Sequence, residues 1–311
     1  MDYFKYSCLG ILFLFQQAGF GQKAFDESYD GIAAVIQMDS FVISAKDAGF
    51  DVLAFIDLVQ EDRSFEQAFQ NLRLFGFKAD HQIRFYNKKG KQTAEYTAET
   101  MQEVKDSCRR MQFLNGPRSS GNFFKRNNSY RYFTAKMYDK VFYTHHKTCL
   151  TNSEYSEDAK GLQKYYQELK TFIFQPGERV EVPIVANKTA IFSEELMPYY
   201  NYTISKETYL SQENCWAFTI QVKGGFTQKK KGKTLIKYLK TYFDPNTFQV
   251  LGRKYEIINQ GIASCSVVMS VELTQFKGHY LPKKISYDGT WNIPGKNRET
   301  GDFTARFSDF R

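Results

Sequence analysis

Four histidines, His81, His145, His146 and His279, and five cysteines are the residues of this 311-residue chain best suited to metal or nucleophilic chemistry. Their spacing supports neither. His145 and His146 are adjacent, and in an extended segment neighbouring side chains point to opposite faces, so the pair cannot readily share one metal ion. Surface histidines are the better reading. The chain has no Gly-x-Ser-x-Gly, His-Glu-x-x-His, phosphate-loop or Ser-x-x-Lys pattern. Glu194 and Glu195 with Asp288 or Asp302 would make an acid pair, yet 34 carboxylates offer many such coincidences. No catalytic residue, metal site or cofactor is assigned, and the chain is expected not to be an enzyme.

The cysteines carry structural information instead. Cys8 falls in a leading apolar stretch, Cys8 to Phe15, which follows Lys5 and precedes the small residues Ala18, Gly19 and Gly21. This predicts a signal peptide over residues 1–21, too short to span a bilayer, with a buried N-terminal element as the competing reading. Cys108, Cys149, Cys215 and Cys265 then remain in an oxidising compartment. The preferred pairing keeps each bond within its half of the chain, Cys108 with Cys149 and Cys215 with Cys265; four buried thiols are the alternative.

The formal charge of +8 survives removal of residues 1–21, because Asp2 and Lys5 cancel. Lys and Arg are scattered, which disfavours nucleic acid and leaves anionic headgroups or acidic glycans as suitable surfaces. The densest run, Lys229 to Lys231 with Lys233, reads as a solvated hairpin tip.

The positioning elements follow from periodicity. Val52, Phe55, Ile56 and Val59, then Phe65, Ala68, Phe69 and Leu72, recur at helical spacing inside a helical region over 25–76. Ser64 with Gln67 suggests a capping box, and Gly76 a stop. His81 to Phe85, Gln92 to Glu99 and Met101 to Phe113 look like strands, and 115–122 like a loop. The stretch from Tyr130 to Phe142 fits either strand or helix. A further helix is expected near 156–173. Trp216 to Val222 and Val267 to Leu273 alternate as half-buried strands, and Asp244-Pro245-Asn246 predicts a hairpin between Thr234–Phe243 and Thr247–Ile257. The meander continues through Leu281–Tyr287 and Phe303–Phe307. Residues 22–311 are expected to form a single α+β domain: a long curved antiparallel β-sheet with amphipathic helices packed on one face.

With 29 Phe, 21 Tyr and 2 Trp, that sheet must cover many rings. Trp216, Phe218, Phe243, Phe248, Tyr255, Met269 and Val271 are the candidates for its covered face. Ordinary core packing is one role for them. Lining an apolar ligand pocket is the other.

Two resemblances rest on particular segments. Phe55–Arg73, Tyr130–Thr144, Leu169–Gly177, Asn214–Phe218 and Tyr287–Glu299 resemble an uncharacterised family of exported proteins of Gram-negative bacteria, which implies export and no known activity. More loosely, leading helices, meandering strands and a hairpin such as Tyr242–Thr247 resemble the outer-membrane lipoprotein carrier (LolA-like) half-barrel. That resemblance implies a concave apolar face able to hold acyl chains, in a protein of the periplasm or outer membrane contacting membrane peripherally at most. The expected partner is a lipid or lipoprotein ligand; a structural or assembly partner in an envelope complex is the alternative.

Overall fold

The computed structural model describes residues 52–149, 173–178, 186–224, 233–260, 264–292 and 297–311, all within one compact unit, Met38–Arg311. The expected signal peptide, the helix near 156–172 and the tip lysines 229–231 lie outside the described residues.

Among the described residues twelve strands form one open antiparallel sheet: β1 (Phe77–Tyr86), β2 (Gln92–Lys105), β3 (Cys108–Phe113), β4 (Arg118–Gly121), β5 (Thr148–Cys149), β6 (Tyr200–Tyr209), β7 (Gln212–Val222), β8 (Ile236–Phe243), β9 (Val250–Asn259), β10 (Ser264–Phe276), β11 (His279–Asn292) and β12 (Glu299–Ser308). The spatial order is β5-β3-β2-β1-β12-β11-β10-β9-β8-β7-β6, with β4 on β2. From β6 to β12 each strand pairs with the next along the chain, and then β12 pairs with β1, placing Lys78 opposite Ser308. The long curved antiparallel sheet is therefore as expected, and it does not close.

The register carries one face through every strand. Phe218 lies opposite Ile204 and Thr241, Tyr255 opposite Leu239 and Met269, Tyr287 opposite Met269 and Phe303, and Ile83 opposite Phe303 and Tyr96. Because side chains alternate with a period of two, these residues all point the same way. They belong to one continuous core with Phe55, Ile56 and Val59 of α1 (Val52–Glu61), Phe65 and Ala68 of α2 (Ser64–Asn71), and Ala135 and Tyr138 of α3 (Phe133–Phe142). The described helices thus cover a single face.

Several local expectations change. Gln92–Lys105 is one unbroken strand, and the chain reverses at Asp106 and Ser107, whose φ of 53° and 59° are those of a tight two-residue hairpin turn. Residues 118–121 are not loop: they pair with β2. Tyr130–Phe142 resolves as α3, and its cap is distant in sequence. Glu299 of β12 accepts the Phe133 and Thr134 N–H groups at 2.7 and 2.8 Å, placing a carboxylate against the helix N-terminus. The Asp244 hairpin is present, with Asp244 Oδ1 accepting the Asn246 and Thr247 N–H groups, both at 2.9 Å.

The capping box at Ser64 is absent. Asp62 Oδ1 accepts the Ser64 N–H at 3.1 Å, and the Ser64 hydroxyl instead accepts the Val250 N–H at 2.9 Å, fastening α2 to β9. Beyond α2, Gln102 donates to the Leu72 and Phe75 carbonyls at 2.7 and 2.9 Å. Gly76 lies past the end of the helix and exchanges backbone bonds with Arg311. Replacing Ser64 with alanine leaves a strand N–H without its acceptor, so Ser64→Ala is expected to lower stability by about 1–2 kcal/mol in urea denaturation.

The expected Cys215–Cys265 bond does not form. Cys215 is in β7 and Cys265 in β10, three strand steps apart, or about 14 Å at the usual spacing, whereas bridged Cα atoms sit within about 7 Å. Cys108 and Cys149 lie directly opposite each other in β3 and β5 and are bonded.

Candidate functional site

Six of the seven candidate apolar residues share the helix-covered face: Trp216, Phe218, Phe243, Tyr255, Met269 and Val271. Phe248 is the exception in position, since it sits in the β8–β9 turn with a positive φ of 55°, half-buried against the same core. Trp216 and Phe243 are opposite one another on β7 and β8. Phe55 of α1 bridges this end, its ring centroid 5.3 Å from Phe218 and 5.9 Å from Phe243. The margin of the face is polar: the Lys206 ammonium of edge strand β6 stands 4.7 Å from the Trp216 ring.

Hydroxyls inside the face reach backbone carbonyls, of the covering segments for Tyr202 and Tyr255 and of β8 for Tyr200. Tyr202 donates to the Ile191 carbonyl, Tyr200 to Ile236 at 2.9 Å, and Tyr255 to Ile173 at 2.5 Å. Burial pushes the Tyr200, Tyr202 and Tyr255 hydroxyls above the ordinary phenol range, so they stay neutral donors.

Sequence reasoning missed Arg253 and Thr241. Both occupy inward positions, opposite each other on β9 and β8 and next to Val271 of β10. The signal was available: Arg253 has the same parity as Tyr255 and Ile257, and a charged residue at an inward position is the informative exception. Arg253 Nε donates to Thr241 Oγ1 at 3.0 Å, while Nη1 donates to the Phe174 carbonyl at 3.2 Å and the Tyr255 hydroxyl at 3.4 Å.

At the opposite end, the face is built around His81, which is buried rather than at the surface. Its Nδ1 shares a 2.6 Å hydrogen bond with the Tyr138 hydroxyl of α3, and its Nε2 a 2.8 Å bond with Thr100. The Tyr143 ring stands edge-on at 4.9 Å. Loss of solvent holds the imidazole down at about 4, against an ordinary 6.5. His145, His146 and His279 are exposed, as expected.

The acid-pair residues do not converge. Glu194 and Glu195 precede β6, which lies five strand steps from β11 with Asp288 and six from β12 with Asp302. Those two aspartates are directly opposite each other on the outer face, beside a shallow, open hollow of about 250 Å³. Asp302 is engaged there by Arg84 Nε at 2.9 Å and the Tyr86 hydroxyl at 2.5 Å. The hydrogen bond to Asp302 raises the Arg84 guanidinium against its partial burial. Burial together with that carboxylate raises the Tyr86 phenol to about 12.

On the outer face of β7 to β9 a smaller cluster holds the free Cys215 with Ala217, Tyr242 and Leu251. Tyr209 stacks on Tyr242 at 4.0 Å and lays its hydroxyl over Gly252, where a Cβ would come within 2.1 Å of it. Only glycine fits beneath that tyrosine. Burial raises the Cys215 thiol, which makes it a poor nucleophile.

No family model matches this chain, and no curated protein matches it. Among solved structures it is similar to an outer membrane lipoprotein-sorting protein domain of Vibrio parahaemolyticus at 8% identity, over 83% of this chain and 89% of that one, with a TM-score of 0.26. A second likeness, to lipovitellin, has 6% identity over 76% of this chain and a quarter (25%) of that one, with a TM-score of 0.24. Likenesses this slight decide nothing about ligand or activity.

Proposed function

We propose that this protein is a non-catalytic carrier or binding module for an apolar or amphiphilic ligand, such as a lipid or the acyl part of a lipoprotein, held between the helices and the sheet. One observation carries the reading: an inward face, aromatic and aliphatic across nearly the whole sheet and broken by few polar residues, roofed among the described residues by separate short helices rather than by a second sheet. Short helices can part from an apolar face at less cost than a continuous layer, because each buries little area on its own. The Cys108–Cys149 bond supports an exported, oxidising location, the periplasm of a Gram-negative envelope. Among the described residues no helix is long and apolar enough to cross a membrane.

Both tryptophans, Trp216 and Trp291, belong to the inward face or its packing, so ligand entry has an intrinsic reporter. Protein purified from its own envelope is expected to show a bound acyl-containing mass by native mass spectrometry. After delipidation, its tryptophan emission should shift when dodecanol is added. A bare polypeptide mass together with an unchanged emission spectrum overturns the proposal.

A further inference from the structure

Arg253 heads the fully buried side chains by volume among the described residues, at 1% exposure, in a setting otherwise made of rings and aliphatic groups. Its guanidinium lies 4.3 Å from the Phe65 ring of α2. A guanidinium cannot discard its charge by losing a proton, so burial must be offset by what surrounds it. Here the surroundings are two hydroxyls, one carbonyl and one ring face. Among the described residues no carboxylate lies within ion-pair distance of it. Neutral dipoles compensate a buried cation only in part, and a buried charge left without a counter-charge costs several kcal/mol.

The geometry also shows which donors remain. Thr241 occupies Nε, and Phe174 with Tyr255 occupies Nη1. These three bonds lock the plane of the fork, and Nη2 makes no bond to the described residues. A rigidly held cation with donors that the described residues leave unused, flanked by Phe243, Tyr255 and Val271 on the same face, has the chemistry of an oxyanion receptor set into an apolar wall.

We infer that Arg253 recognises the oxyanion head of an anionic amphiphile, a carboxylate or a phosphate monoester, whose hydrocarbon chain lies along the aromatic face. The inference rests on the carrier reading above and narrows it to ligands bearing a negative head. The guanidinium–oxyanion pair then supplies a counter-charge that the described residues do not. Desolvation makes that pair discriminate strongly against a neutral head of the same length.

The test uses the delipidated full chain and three probes of equal chain length, dodecanoate, dodecyl phosphate and dodecanol, titrated by tryptophan emission at pH 8. At least one anion is expected to bind about tenfold or more tighter than the alcohol, in line with a charged hydrogen bond. Which of the two anions binds tighter identifies the head. In Arg253→Met the anion-to-alcohol ratio should fall to within about twofold. Should that variant fail to fold, Arg253→Lys keeps the stem and charge but lacks the planar fork, and should lower the ratio severalfold. Equal binding of all three probes by the native protein, or an anion preference that survives in the variants, overturns the role of Arg253 and leaves the carrier reading standing. Binding of none of them overturns both.

Discussion

Removing the Cys108–Cys149 bond is expected to lower the stability of the protein by about 4 kcal/mol at 25 °C, the chain-entropy value for a closed loop of about 40 residues; the two cysteines are separated by 41 positions. The loop holds β3, β4 and α3, elements that touch the sheet at its β5 end. β5 is only two residues long and pairs with β3 alone, so little else fastens that edge. Urea denaturation of the oxidised protein and of the Cys108→Ser/Cys149→Ser double variant measures the difference directly. Native-state hydrogen exchange locates it: protection should fall first over 108–149, while β7 to β10 keep theirs. A loss below about 1 kcal/mol would show that the helix contacts, and not the covalent link, hold this edge.

Mild acid is expected to remove about 3 kcal/mol through His81 alone. Burial holds its folded-state value at about 4, while an unfolded chain titrates near 6.5, and each unit of difference is worth about 1.4 kcal/mol. The sign follows from which state takes the proton first. Between these two values the unfolded chain binds it and the folded protein does not, so stability is full above about pH 6.5, declines as pH falls, and levels off below about 4. Carboxylates act lower on the scale. Burial by itself would raise Asp244, but hydrogen bonds from Gln212, Thr247 and Asn246 outweigh it and hold the group below its ordinary value, so its contribution disappears only in stronger acid. Comparing native protein with His81→Gln by urea denaturation at pH 7.5 and 4.5 isolates the effect. The native protein should lose about 2.5 kcal/mol more than the variant between those two conditions, the rest of the effect lying below pH 4.5. Equal losses, or an NMR midpoint for His81 near 6.5, would contradict the burial argument.

Alternation was the most readable property of the sequence. Trp216 to Val222 and Val267 to Leu273 identify which residues point inward, and once two strands are placed the antiparallel register carries that parity across the sheet. What escaped has physical reasons. No glycine or asparagine marks the turn at Asp106-Ser107, so the alternating pattern reads straight through it. The helix from Phe133 begins after Tyr132, which has no capping side chain; its acceptor, Glu299, lies 166 positions further on. Half-chain position pairs Cys215 with Cys265, but a disulfide depends on strand separation, which only the topology supplies. Arg253 and His81 share the parity of their buried neighbours, but a polar residue among apolar ones reads as solvent-facing unless parity is given the deciding weight.

The seam between β1 and β12 has a temporal consequence. Lys78 and Ser308 are neighbours across it although 230 positions apart, and Gly76 trades backbone bonds with Arg311. The strands β1, β2 and β3 cannot join the block from β6 to β11 until β12 has left the ribosome. Pairing across that seam is long-range and slow to form, whereas the strands from β6 to β12 each pair with a neighbour along the chain and can do so early, so the closing of this seam is the late step of assembly.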